Sequence, residues 1–513
     1  MVIASLDKDG AGVDLSNDAD IQLLPDLDDT TRKQDAGLAS SLLREFGRRA
    51  IEEHQSFETL RTAAGHDFTP YRALPDAPPL GFMHVSKTGG ASVRQWLVSM
   101  FEPHEVSPLI MPADFETLRV PGREYKLYAG HLMGVQFDLL PRTSQIFTLV
   151  RDPVEQAASA YFHVRAAADW AKLRLGPIAD NPFYDDPEPS PENLELSMLF
   201  RANDFEAAIS LPLGAVRKHI RDVLLRTYGC RFGEDDDLHD LPDDSPVLQQ
   251  SRAVHWDRAM ATLDRIAVIG DHADIEAALL LLAARRGWPA PPALPRIHDF
   301  GAPTAVIAAN PAIRSKFIAT RQMEFALYDR ASRRTRLVRS QIRRLCGSDT
   351  AEAVDQRHTE CFFRTAPRVA GFDVRADQPW SGRGWGIPQK DPDGTSRIDG
   401  HAASSSREIG ARRGSSMLVA LEPAIGDMCL FVEMRQGAAG DGVTSLAARV
   451  AGVPLERTDV RSEPGGATIT WRVPADQIAL LDGAVEFVFD MSAGPTDRTP
   501  RLARIGCVPA APV

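Results

Sequence analysis

One stretch, residues 80–101, constrains the fold of this chain more than any other. Residues 80–85 form a short apolar run, the pattern of a strand buried on both faces. Residues 86–90 interrupt it with Gly89 and Gly90, and residues 91–101 have helical spacing. Strand, glycine turn and helix in that order predict a βα unit. The unit recurs: 126–129 and 146–150 are strand candidates, and the second runs into Arg151, Asp152 and Pro153. Pro153 suits the first position of a helix. Residues 266–269 are a further buried run, followed by helical spacing over 274–286 that stops at Gly287 and Pro289. Strands alternating with helices predict an α/β layer fold around a mostly parallel sheet.

The flanking regions differ. Residues 1–36 are rich in Asp, Gly and Ser and predict a disordered acidic tail. Residues 38–63 have helical spacing, ended by Pro75, Pro78 and Pro79. The Pro-containing stretch 176–193 predicts a loop, 194–228 helix, and 234–246 an acidic loop. Residues 312–344 are again helical, with Pro311 at the start. Beyond Cys346 short alternating runs take over, at 359–363, 416–421, 428–433, 467–473 and 485–490. They predict an all-β sandwich over 346–513, after an α/β domain over 37–345, with the boundary between 345 and 358.

Composition narrows the function. The chain carries 58 basic and 70 acidic residues, a formal net charge of −12, so no nucleic-acid partner is expected. Five scattered cysteines without CxxC spacing exclude a disulfide scaffold and a cysteine-built zinc site. No metal is expected. No apolar run approaches the ~18 residues of a membrane helix, and the start of the chain lacks the basic residues of a signal peptide. A cytoplasmic protein is the expectation, attached to a membrane at most peripherally.

The glycine turn reads as an anion site. Gly89 and Gly90 let backbone N–H groups approach a ligand, and the helix that follows aims its positive end there. Lys87 adds a mobile charge; Thr88 and Ser92 add hydroxyls. Gly81 stands six residues before Lys87, as in a Walker loop, but Ser86 replaces the second loop glycine. Arg151, at the end of another strand, can make a bidentate phosphate contact, and Ser159 lies two turns into the next helix. Ligands of α/β sheets bind at the carboxyl ends of strands, so both motifs share one rim.

The pair Lys87-Thr88-Gly89-Gly90-Ala91-Ser92 and Arg151-Asp152-Pro153…Ser159-Ala160-Tyr161 resembles the carbohydrate sulfotransferases that use 3′-phosphoadenosine 5′-phosphosulfate (PAPS), and among them the relatives of the heparan-sulfate 2-O and 6-O enzymes. The resemblance covers residues 80–330. It implies a P-loop-like sulfotransferase domain that transfers a sulfuryl group from PAPS to a carbohydrate hydroxyl. The acceptor would be a cell-surface polysaccharide or glycolipid. By resemblance Lys87, Thr88, Gly89, Gly90, Ala91 and Ser92 hold the 5′-phosphosulfate, and Arg151 and Ser159 the 3′-phosphate. Ala91 stands where the family has threonine, and Gln156 where it has arginine.

Sulfuryl transfer needs a base for the acceptor proton and positive charge on the leaving phosphate. Lys87 suits the second role. His131 ends the strand before that of Arg151 and is the first choice for the base; the 2-O relatives carry a Gly-His in a comparable place. His163, four residues after Ser159, competes with it. His84 reads as a packing residue inside the first strand, and Trp96 as core. The arginines from Arg330 to Arg344 read as a solvated face, or as partners of the acidic loop, with a surface for an anionic glycan or lipid as the alternative. Trp380 and Trp385 read as core, with sugar stacking as the alternative. Two other function classes stay open: a P-loop kinase, and a non-catalytic glycan-binding protein.

Overall fold

A computed structural model of the chain describes residues 77–110, 125–166, 191–211, 216, 220, 222–230, 245–294, 303–375, 379–383, 385, 389–390, 405–408, 415–422, 426–435, 446–463, 466–491 and 501–509. The predicted tail over 1–36, the helix over 38–63, residues 176–190 and residues 234–244 lie outside these.

The expected βα unit forms. Strand β1 (Leu80–Met83) is buried throughout, and helix α1 (Gly90–Val98) follows it. Strands β2 (Leu127–Gly130), β3 (Gln145–Val150) and β4 (Val268–Asp271) complete a sheet of order β2-β1-β3-β4, parallel at every pair. Because successive side chains alternate between faces, each strand feeds two cores. Leu80, Phe82, Phe147 and Leu149 point to one face, packed with Trp96, Leu97 and the Ala- and Leu-rich helix 275–286. Met83, Tyr128, Ile146 and Val150 point to the other, packed with Leu224, Tyr228, Leu263 and Leu327. Both faces are covered, as a parallel sheet requires.

Among the described residues, ten further α-helices precede the C-terminal region. They are α2 (Pro153–Ala166), α3 (Pro191–Ala202), α4 (Phe205–Ala208), α5 (Val223–Gly229), α6 (Pro246–Arg265), α7 (Ile275–Arg286), α8 (Thr304–Ala309), α9 (Pro311–Thr320), α10 (Gln322–Thr335) and α11 (Val338–Cys346). Side chains of Asp274 and Asn310 cap α7 and α9. The single helical stretch expected over 312–344 is thus three helices, and α3 begins inside the expected loop. A further helix, α12 (Ala351–Thr365), occupies the place where 359–363 was expected as a strand. Ala351, Val354, His358, Cys361 and Phe362 are buried at helical spacing along it.

The C-terminal region is antiparallel. One sheet has the order β11-β10-β14-β8 and the other β12-β13-β9-β15-β7-β6, with β5 beside β15. These strands are β5 (Phe372–Arg375), β6 (Gln389–Lys390), β7 (Ser405–Glu408), β8 (Ser415–Ala420), β9 (Met428–Arg435), β10 (Leu446–Val450), β11 (Val453–Pro454), β12 (Glu456–Glu463), β13 (Gly466–Val473), β14 (Ala484–Met491) and β15 (Arg501–Pro509). Val419, Phe487 and Phe489 of the first sheet and Val432, Trp471 and Ile505 of the second belong to one apolar cluster. Trp380 and Trp385 lie in the same cluster, ring centroids 4.7 Å apart, and Trp385 Nε1 donates to the Ser416 carbonyl at 2.7 Å. They are core and present no surface to a sugar.

His358 joins the two regions. Its Nδ1 bonds the Gly287 carbonyl at the end of α7 at 2.7 Å, and its Nε2 accepts from Gly382 N–H at 3.0 Å. Among the described residues, no helix is long and apolar enough to cross a membrane.

Candidate functional site

In the order β2-β1-β3-β4 the chain leaves β1 for β2 on one side and returns as β3 on the other. The carboxyl ends of β1 and β3 therefore flank the switch point of the sheet, where open α/β folds form a crevice. The loop after β1 carries Lys87, and β3 ends immediately before Arg151. The two sequence motifs meet there.

The loop turns by left-handed backbone at Lys87 (φ 63) and Gly89 (φ 85). Such turns gather successive N–H groups into a concavity for anions. For Lys87, which has a Cβ, the conformation costs ~1–2 kcal/mol, and neighbours hold it. Arg151 Nη1 donates to the Lys87 carbonyl at 3.3 Å, Gln156 Nε2 donates to the Ser86 carbonyl at 3.0 Å, and Thr88 Oγ1 donates to the Val85 carbonyl at 2.7 Å. The Thr88 hydroxyl hydrogen is thus spent on the loop itself. Gln156, at the position where the resembling family has arginine, braces the loop.

Arg151 is poised on both sides. Its side chain is only 11% exposed, and it also donates Nε to Glu155 at 3.3 Å and Nη2 to Thr304 Oγ1 at 3.1 Å. Among the described residues three of its five guanidinium N–H groups are used. Asp152 beside it caps α2 through the Val154 and Glu155 N–H groups and pairs with Arg314 at 2.8 Å.

The histidines rearrange the sequence picture. β1 ends at Met83, so His84 stands just past the strand on the rim, half-buried, and is no residue of the strand interior. Its ring stacks on that of His131, with centroids 4.5 Å apart and planes 22° apart. His131 Nδ1 lies 3.0 Å from the His84 carbonyl. A carbonyl only accepts, so Nδ1 carries the hydrogen and the neutral ring keeps its lone pair on Nε2. Loss of solvation lowers the His131 pKa below 6.5, opposed by the bond to His84 and reinforced by the charges of Lys87 and Arg94. His131, Lys87 and Arg94 are therefore neighbours. His163 is different: it is the eleventh residue of α2, about 15 Å along the helix from Pro153 at 1.5 Å per residue. Ser159, partly exposed, lies about 9 Å along the same axis. Ala91 and Ser92 occupy the first turn of α1.

Two residues of the rim were not legible in the sequence. Arg94 sits one turn into α1 and acts on His131 by its charge. His272 follows β4, and a Cβ placed on Gly89 would lie 3.4 Å from its Cδ2 and 3.8 Å from its Nε2. Partial burial, reinforced by the charge of Arg151, lowers the His272 pKa to about 4.

The arginines of 330–344 look elsewhere. Arg330 pairs with Asp264, Arg333 with Asp329, Arg339 with Asp274, and Arg343 with Asp349. Arg334 donates to the carbonyls of Leu263 and Ile266. Trp96 is buried against Trp288. Among the described residues, no three His, Cys, Asp or Glu side chains are grouped as a metal site would need. No protein-family model matches the chain, and no curated protein does.

Proposed function

We propose that this chain transfers a sulfuryl group from PAPS to a hydroxyl of a carbohydrate. The observation that carries the reading is the convergence of Lys87, Arg151 and His131 on the rim at the switch point of the sheet. A glycine loop with a lysine, and a largely buried arginine at the end of the adjoining strand, suit a small molecule with two phosphate groups. His131 offers Nε2 as base for the acceptor proton, since its other nitrogen is held by the His84 carbonyl.

PAPS supplies an activated sulfuryl group: the acceptor oxygen bonds to sulfur while the bond from sulfur to the 5′-phosphate oxygen breaks. The chain orients the two ends and handles the charges. His131 Nε2 takes the hydroxyl proton. Lys87 and the loop N–H groups face the charge that develops on the departing phosphate. Arg151 and Ser159 would hold the 3′-phosphate, and they fix the nucleotide in line. The resulting imidazolium would feel the charges of Lys87 and Arg94, which promotes loss of its proton to solvent after each turnover.

The test is transfer of labelled sulfate from PAPS to a panel of neutral and anionic glycans. The reading predicts transfer that His131→Ala and Lys87→Ala each abolish. Labelled phosphate moving from ATP and magnesium instead would replace it with a kinase. Glycan binding without either transfer would make the chain a lectin-like protein.

A further inference from the structure

The transfer chemistry leaves His272 unused, yet the ring is built into the same loop. By strand order His131 ends β2 and His272 follows β4, so the two histidines flank the glycine loop on opposite sides. The His272 ring edge lies beside Gly89, whose left-handed backbone (φ 85) disfavours any side chain there. The charged groups around His272 come from each neighbouring element. Arg151, from the β3 end, is close enough to depress its protonation. Asp271 is occupied, accepting from the Ala273 N–H at 3.0 Å and from the Tyr328 hydroxyl of α10 at 3.3 Å. Asp274 caps Ala277 of α7 and pairs with Arg339 of α11. Lys87 belongs to the loop itself. Among the described residues both neighbouring carboxylates, Asp271 and Asp274, are engaged elsewhere, and the charge of Arg151 stands beside the ring. A half-buried neutral imidazole in that place has one N–H to give, and the group that suits it is an anion seated in the loop.

We propose that His272 is a binding residue of the loop, a hydrogen-bond donor to a phosphate-class oxyanion held at Gly89 beside Lys87. The assignment rests on the loop being an anion site, and it does not require that the bound anion be a sulfuryl donor. Neutrality has a use here: with Arg151 and Lys87 already present, a third cation would be costly in the empty site, whereas a neutral donor adds a directional bond without that repulsion.

The test compares His272→Asn, which keeps an N–H donor, with His272→Phe, which keeps a ring over Gly89 but no donor. Each is titrated calorimetrically with inorganic pyrophosphate and with adenosine 3′,5′-bisphosphate at pH 7.5. His272→Phe is expected to weaken both ligands by about tenfold or more, the worth of a hydrogen bond to a charged group, while His272→Asn stays within about threefold of the parent protein. If His272→Phe binds like the parent, or His272→Asn is the weaker of the two, the ring serves packing and the proposal is overturned. Parent protein that binds pyrophosphate but not the bisphosphate would refute the PAPS reading alone, and the pyrophosphate arm would still decide on His272. Parent protein that binds neither overturns both.

Discussion

Gly90 makes a quantitative prediction about the histidine pair. It is the first residue of α1 and has helical backbone, so alanine is conformationally acceptable there, and a Gly-to-Ala change inside a helix is otherwise worth up to ~1 kcal/mol in favour of folding. A Cβ at this position, however, would lie 2.0 Å from His84 Cδ2, 2.5 Å from Nε2 and 2.6 Å from Cγ. Ordinary contact begins near 3.4 Å, so the imidazole must retreat by about 1.4 Å. It has little room, with Phe82 5.9 Å away on a nearly parallel plane and His131 at 4.5 Å. Overpacking of this kind costs ~1–3 kcal/mol, which exceeds the helical gain. Gly90→Ala should therefore destabilise the protein. Displacing the ring on which His131 stacks should also slow transfer by about tenfold or more, because a misplacement of about 1 Å at a catalytic group can cost up to ~100-fold. The assay is a double-mutant cycle by urea unfolding. In a His84→Ala background, where the ring is gone, Gly90→Ala should cost nothing. An equal cost in both backgrounds, or stabilisation of the single variant, refutes the contact as the cause.

Further consequences concern protons. With His131 as base, kcat/KM should fall on the acid side with an apparent pKa below 6.5, since burial and the charges of Lys87 and Arg94 lower it; an acid limb centred above 6.5 contradicts that assignment. Burial lowers the His358 pKa to about 4 in the folded chain, so between pH 6.5 and 4 the unfolded state binds the extra proton and stability falls as pH falls. From pH 7 to pH 5 this should remove about 2 kcal/mol that His358→Gln does not lose. Urea midpoints of the two proteins at both pH values check it, and comparison with the variant is needed because Glu324, raised to about 8, shifts stability the opposite way. Equal pH slopes in the two proteins refute the strut.

The parallel sheet was legible because strands buried on both faces read as short apolar runs bounded by glycine, proline or aspartate; β1, β2, β3 and β4 each lie within two residues of the expected position. Helix α12 was misread because the apolar run of Cys361, Phe362 and Phe363 was weighed over a five-residue window. The deciding pattern is longer, running from Ala351 through Val354 and His358 to Phe362. Strand β12, with charges at Glu456, Arg457, Asp459, Arg461 and Glu463, has no apolar run to announce it. At the site, Lys87 and Arg151 were legible because the spacing of motif to strand carries them. His272 was not, because its approach to Gly89 spans more than 180 residues of chain and exists only once β4 is placed beside β3. The stacking of His84 on His131 depends in the same way on β1 pairing with β2. Local patterns record elements; contacts between elements far apart in the chain follow from strand order.

The chain carries a net charge of −12, yet the rim gathers Lys87, Arg94 and Arg151, with His131 and His272 held toward neutrality beside them. Under the proposed reading this local positive charge serves a doubly phosphorylated ligand. The most direct measurement is a titration of the purified protein with adenosine 3′,5′-bisphosphate, repeated with Lys87→Ala and Arg151→Ala. The account predicts saturable binding that each substitution weakens by about tenfold or more, the worth of one charge-assisted contact. No binding, or binding that survives both substitutions unchanged, would contradict it.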